Sequence, residues 1–283
     1  MTARPDSGGP GGAPPGAAAG EESVFRIAVL ASGSGSNLQA IIDRLHRPRF
    51  EVIDTDEDAT GGAANVFGGG DVAPREGDRP RRQGDVPLGD VPAGAAGAVE
   101  AGGVDVPRIE VVLVLSDVSG TRAVERAERA GIRTAVIPRR DFRDRVEHDL
   151  ALVTRLCEAE PDLVVLAGYM RIVSPALLKA FPWRVINLHP ALLPAFRGTH
   201  SISDAVHYGV KVTGVTVHFV DPGVDSGPVI AQEAVRVEDG DTPETLAARI
   251  HEVEHRLLPA TIRLIAAGRV KPPLPGSRVV QVD

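Results

Sequence analysis

The stretch Phe25-Arg26-Ile27-Ala28-Val29-Leu30-Ala31-Ser32-Gly33-Ser34-Gly35-Ser36-Asn37 decides the fold of this chain. Its first seven residues form the short apolar run that a buried strand needs. The Gly/Ser block interrupts it, and Leu38, Ile41, Ile42 and Leu45 then recur at helical spacing. Strand, tight turn and helix thus follow one another directly. A helix that opens on such a turn aims its unpaired N–H groups and its positive end beyond the strand's carboxyl end, so an anion, phosphate foremost, fits at residues 33–37. The plain alternative is a turn selected for tightness alone. A nicotinamide dinucleotide is disfavoured, because the third glycine of its fingerprint falls on Leu38.

The same alternation continues downstream. Residues 109–115 (Ile-Glu-Val-Val-Leu-Val-Leu) read as a strand buried on both faces and 120–130 as a helix; 134–137 form a third strand, 142–159 a helix and 162–167 a fourth strand. Residues 184–187, 214–220 and 229–235 are further strands. The last two have no helix between them, a link short enough for an antiparallel pair. Thr242-Pro243 supplies an N-cap and a first-turn proline to a closing helix with Leu246, Ile250, Val253 and Leu257 on one face. These elements predict an α/β fold: a doubly wound, mostly parallel sheet with antiparallel additions in the C-terminal half.

Composition sets the limits of that domain. Of 31 glycines, six lie in residues 1–20 and twelve in residues 59–104, where branched and aromatic side chains are scarce. Such segments cannot offset their ordering entropy by burial. The expected organisation is a disordered tail at 1–22, one domain over 23–270 with a disordered insertion at 57–104 after a short run at 50–53, and a C-terminal tail at 271–283. A net charge of −7, with basic residues clustered only at Arg79, Arg81 and Arg82, argues against a nucleic-acid partner. No apolar stretch approaches a membrane span and no leader pattern is present, so the expectation is a cytoplasmic protein, monomeric or homodimeric, acting on small molecules. The single cysteine, Cys157, shares helical spacing with Val146, Leu150 and Val153 and reads as core.

Chemistry concentrates later in the chain. Six of the eight histidines lie between residues 189 and 255. A metal site is not expected, because the one helical His-x-x-x-His pair, His251 and His255, has no evident link to the strand-borne histidines, and solvent exposure is its simplest account. Asn187 and His189 close a strand on the same face. An amide and an imidazolium are what a tetrahedral oxyanion requires, and a carboxylate beside the ring favours its charged form; Asp225, in Asp221-Pro222-Gly223-Val224-Asp225-Ser226-Gly227-Pro228, is a loop acid able to supply it. Taken alone, His189 reads equally well as a satisfied structural histidine.

Residues 31–42 (Ala-Ser-Gly-Ser-Gly-Ser-Asn-Leu-Gln-Ala-Ile-Ile), 167–174 (Ala-Gly-Tyr-Met-Arg-Ile-Val-Ser), 186–194 (Ile-Asn-Leu-His-Pro-Ala-Leu-Leu-Pro) and 217–230 occur in the order found in the phosphoribosylglycinamide formyltransferase family, which the chain resembles over residues 25–53 and 108–270. The resemblance implies the Rossmann-like formyltransferase fold and transfer of a formyl group from the co-substrate 10-formyltetrahydrofolate to the amine of 5-phosphoribosylglycinamide in purine biosynthesis, without a metal. It implies Asn187, His189 and Asp225 as the catalytic trio, and Gly35, Ser36 and Asn37 on the ribonucleotide phosphate. It places Glu254 near the glycinamide, and Arg145, Met170, Arg171, Ile172 and Val173 around the folate. Bare chemistry would instead place Met170 and Ile172 in the core and leave Arg171 as a solvated charge. The tail and insertion depart from the family pattern, as does Ala191 where the family usually has Ser. Rival readings are a 10-formyltetrahydrofolate hydrolase, which usually carries an extra N-terminal domain; a methionyl-tRNA formyltransferase, which the acidic charge and missing basic C-terminal domain disfavour; and a nucleotide-sensing Rossmann-like module, which leaves the trio unexplained.

Overall fold

Seven strands make one sheet in the computed structural model, which describes residues 23–47 and 106–283. In chain order the elements are β1 (Val24–Leu30), α1 (Ser36–Leu45), β2 (Arg108–Ser116), α2 (Arg122–Arg129), β3 (Thr134–Val136), α3 (Arg145–Ala159), β4 (Leu163–Leu166), α4 (Pro175–Ala180), β5 (Val185–His189), α5 (Ser201–Tyr208), β6 (Val212–Phe219), β7 (Val229–Arg236), α6 (Pro243–Ala266), β8 (Val270–Lys271) and β9 (Gln281–Val282). The sheet order is β3-β2-β1-β4-β5-β6-β7. Strands β1 to β5 are parallel, while β6 runs antiparallel to β5 and β7 antiparallel to β6.

The parallel strands are apolar on both faces because both are covered. Ile27 and Val29 pack with Leu38 and Ile41 of α1 and Leu246 and Ile250 of α6; Ala28 and Leu30 pack on the other side with Leu152 and Leu156 of α3 and Leu177 of α4. Burying each such large aliphatic side chain contributes roughly 1.5–3 kcal/mol. The closing helix follows its sequence signals: the Thr242 hydroxyl accepts the Thr245 N–H, Pro243 opens the first turn, and Leu246, Ile250, Val253 and Leu257 are buried.

Order places the site. From β1 the chain moves outward to β2 and β3, then returns to the other side of β1 to lay down β4 and β5. The loops leaving β1 and β4 therefore diverge and open a crevice at the strands' carboxyl ends, where open α/β sheets bind ligands.

Several expectations shift. The helix expected from residue 142 begins at Arg145, where the Asp144 side chain accepts the Glu147 N–H. Helices α4 and α5 were not legible in the sequence, being short and weakly periodic. Cys157 is exposed, not core. The apolar stripe through Val146 and Leu150 faces solvent, and α3 buries instead His148, Asp149, Leu152, Leu156 and Ala159, a face on which a His-Asp pair hides the apolar period. Within the segment expected as a C-terminal tail, β9 pairs with β8. The tail at 1–22, the run at 50–53 and the insertion at 57–104 lie outside the described residues.

Candidate active site

A cavity of about 560 Å³ occupies the crevice, lined by the turn after β1, residues 166–173 after β4, the end of β5, residues 198–203, the loop from Val220 to Asp225 and one face of α6. It gathers Gly35, Ser36, Asn37, Met170, Arg171, Ile172, Val173, Asn187, His189, Asp225 and Glu254, the site residues expected from the sequence with one exception. Arg145, exposed at the start of α3, is not among the lining residues.

The β1 turn is shaped by one glycine. Gly35 caps α1 at φ 68°, and a Cβ there would lie 2.6 Å from the Ala123 Cα of α2. Only glycine allows both the left-handed backbone and this approach. The first-turn N–H groups of α1 have no partner within the helix, and residues 33–37 line the cavity. Asn37 is anchored by the neighbouring helix, its Nδ2 donating at 3.0 Å to the buried Glu254 carboxylate on α6. The same carboxylate accepts from His251 Nδ1 at 2.8 Å, and this bond pushes the imidazole above its ordinary value against the opposing effect of burial. His251 thus belongs to the cavity wall, not merely to a solvent-exposed helix face. Its position three residues before Glu254 was the available signal.

Asn187 and His189 share a face of β5, as alternation requires. The antiparallel register sets Asn187 directly opposite His218 of β6. His218 Nδ1 donates to the Phe219 carbonyl at 2.8 Å, leaving Nε2 to accept the Asn187 amide at 3.2 Å. Burial lowers the His218 imidazole below its ordinary value, although the Phe219 carbonyl and the Asp225 carboxylate favour the charged ring. His218 therefore fixes which way the Asn187 amide points. No periodicity reveals this, since it depends on strand register.

Asp225 reaches the pair from its loop, at φ 45°. The loop lies close against β6 because Gly227 has no side chain: a Cβ there would fall 1.7 Å from the Phe219 carbonyl oxygen. The Asp225 carboxylate accepts the Gly198 N–H at 2.8 Å and the Asn187 amide at 3.4 Å, and stands 3.4 Å from His189 Nδ1. The other ring nitrogen of His189 donates to the Phe196 carbonyl at 2.9 Å. Both nitrogens of this buried ring thus face oxygen acceptors.

The β4 loop forms the opposite wall. Met170 is 71% exposed and Ile172 47%, so the reading of both as core fails; both border the cavity. Arg171 is no free surface charge, because it pairs with the buried Asp117 at the end of β2. Burial by itself would raise the Asp117 carboxyl, but the Ser32 hydroxyl and Arg171 guanidinium beside it hold it below the usual carboxylate value. Ala191 is fully buried, with its carbonyl accepting the Thr216 hydroxyl at 2.7 Å. Among the described residues, no group of three or more His, Cys, Asp or Glu is placed to hold a metal ion, and no helix is long and apolar enough to cross a membrane.

Comparison with known proteins identifies the family. The sequence profile of the formyl transferase family matches residues 97–262. The phosphoribosylglycinamide formyltransferase of Mycobacterium tuberculosis is 50% identical over 145 residues, 51% of this chain and 67% of that protein. The trifunctional purine biosynthetic protein adenosine-3 of Gallus gallus is 46% identical over 162 residues, 57% of this chain but only 16% of that much longer relative. The crystal structure of glycinamide ribonucleotide transformylase 1 from Symbiobacterium toebii superposes with a TM-score of 0.67 at 36% identity, covering 92% of this chain and 94% of the other. With the doubly wound sheet and the Asn187, His189 and Asp225 cluster in place, the chain belongs to the formyl transferase family, in its phosphoribosylglycinamide formyltransferase branch.

Proposed function

We propose that this chain transfers a formyl group from 10-formyltetrahydrofolate to the amine of 5-phosphoribosylglycinamide in purine biosynthesis. The observation that carries the reading is the meeting of Asn187, His189 and Asp225 at one end of a cavity whose other end is the helix-opening turn at Gly35. The phosphate takes the N–H groups of Gly35, Ser36 and Asn37, and Glu254 faces the glycinamide part. The donor lies against the wall of Met170, Arg171, Ile172 and Val173, where the exposed Met170 and Ile172 side chains border the cavity of about 560 Å³. Arg145 belongs to this proposal only as a contact for the outer end of the donor.

The donor supplies a formyl carbon bound to nitrogen. When the substrate amine adds to it, negative charge grows on the formyl oxygen, and the residues of this chain answer that charge. The Asn187 amide gives up its long 3.4 Å contact to Asp225 and donates to the oxygen. His189 turns its Nε2–H from the Phe196 carbonyl to the same oxygen, while Asp225 holds the opposite edge of the ring. Each such donor is worth about 2.7–4 kcal/mol of transition-state stabilisation. The proton lost by the amine passes through the imidazole or water to the donor nitrogen, whose bond to the formyl carbon breaks as the tetrahedral species collapses, so that tetrahydrofolate and the formylated amine leave. The amine needs no covalent intermediate once it is neutral and aligned.

The test is tetrahydrofolate release with and without glycinamide ribonucleotide. Release that depends on the amine supports transfer. Release in its absence favours the hydrolase reading, and binding without turnover favours a sensing module.

A further inference from the structure

The cavity wall at residues 168–173 contains neither helix nor strand. Among the described residues, no hydrogen bond between main-chain groups holds it from Tyr169 to Val173. At one end the Ser32 N–H reaches the Gly168 carbonyl at 3.3 Å. Tyr169 and Val173 pack into the core beside α3 and α4, and the polar attachments are two carboxylates behind the loop. Asp149, on α3, accepts the Ser174 N–H, and Asp117, at the end of β2, holds the Arg171 guanidinium. Each of these side chains is 3% exposed, and neither lines the cavity. His148 lies beside Asp149, its Nδ1 3.4 Å from the carboxylate and its Nε2 donating to the Ile137 carbonyl at 2.9 Å. Carboxylates this deeply buried are tolerated only where charged or N–H partners meet them, so the loop is held to the sheet at the points these carboxylates set.

We propose that Asp117 and Asp149 are positioning residues for the formyl donor: they clamp the loop carrying Met170 to Val173 and so set the shape of the donor-side wall without touching donor or amine. This rests on the reading that this wall takes the donor. A loop lacking either clamp samples other conformations, and the donor must then select the competent one, which raises its apparent KM.

The experiment measures KM for 10-formyltetrahydrofolate and for glycinamide ribonucleotide, with kcat, on the full chain and its Asp149→Ala, Asp149→Asn and Asp117→Asn variants. Trypsin cleavage after Arg171, followed by mass, reports loop opening independently of activity. Asp149→Ala should raise donor KM by about tenfold to a hundredfold, the loss expected for a hydrogen bond to a charged group. The amine KM and kcat at saturating donor should stay near wild type, and cleavage after Arg171 should quicken. Asp149→Asn keeps an acceptor oxygen for the Ser174 N–H and should recover most of the loss. If both KM values rise together, if kcat falls at constant donor KM, or if nothing changes, the proposal is overturned. Should Asp149→Ala not fold, Asp117→Asn decides by the same measurements. If the wild-type chain formylates nothing, the donor reading fails by itself; unchanged cleavage after Arg171 in the variants would then overturn the clamp, and faster cleavage would retain it.

Discussion

The Asp225 carboxylate stands 3.4 Å from His189 Nδ1 and at the same time accepts the Gly198 N–H at 2.8 Å. One loop acid thereby fixes both a ring and the backbone of a second loop that lines the cavity. Replacing it by asparagine keeps size and tolerance of the left-handed backbone but puts a neutral amide against the ring. Asp225→Asn should lower kcat by roughly 10²-fold or more and change the pH profile of kcat/KM, with folding intact by circular dichroism. Wild-type turnover and an unmoved profile would remove the charge-partner role.

Asn187 and His189 are expected to donate to one developing oxyanion. Asn187→Ala and His189→Ala should each lower kcat by roughly 10²–10³-fold. The double variant should lose less than the product of the two, because the residues serve the same oxygen. Strict multiplicativity in steady-state rates would show instead that the two act on the transition state independently of each other.

Gly35→Ala tests the phosphate turn. The added Cβ meets the Ala123 backbone at 2.6 Å in a left-handed conformation, so a stability loss of about 1–3 kcal/mol is expected from strain and overpacking. KM for glycinamide ribonucleotide should rise more than KM for the formyl donor. Thermal melts and the two KM values read this directly.

Acid sensitivity follows from two imidazoles, His218 buried and His46 half-buried. His218 and His46 are both lowered from the ordinary value of 6.5, chiefly by burial, and His46 Nδ1 accepts the Val111 N–H at 3.1 Å, which requires that nitrogen unprotonated. Their contribution is complete above pH 6.5 and is lost as pH falls toward their folded values, since the unfolded chain takes up protons that the folded chain refuses. Urea midpoints should therefore fall between pH 7 and pH 5. His218→Gln, which keeps an acceptor for the Asn187 amide, should fall less steeply; a parallel slope would show that His218 is not shifted.

By itself the sequence determined whatever depends on local period and turn chemistry. The run at 25–31 became β1, the Gly/Ser turn opened α1, Thr242-Pro243 capped α6, and alternation on β5 put Asn187 and His189 on one face. The tertiary structure alone decided what depends on register and strand order. Opposition of Asn187 and His218 follows from the antiparallel pairing of β5 with β6. Exposure of Cys157 and burial of the His148-Asp149 pair follow from which side of α3 meets the sheet. Asp117 reaches Arg171 because β1 lies between β2 and β4 in the sheet, so that the ends of strands distant in sequence open on one crevice. Side-chain period is encoded residue by residue along the chain, whereas register, layer contact and strand order arise only when segments far apart in sequence bury their surfaces against each other.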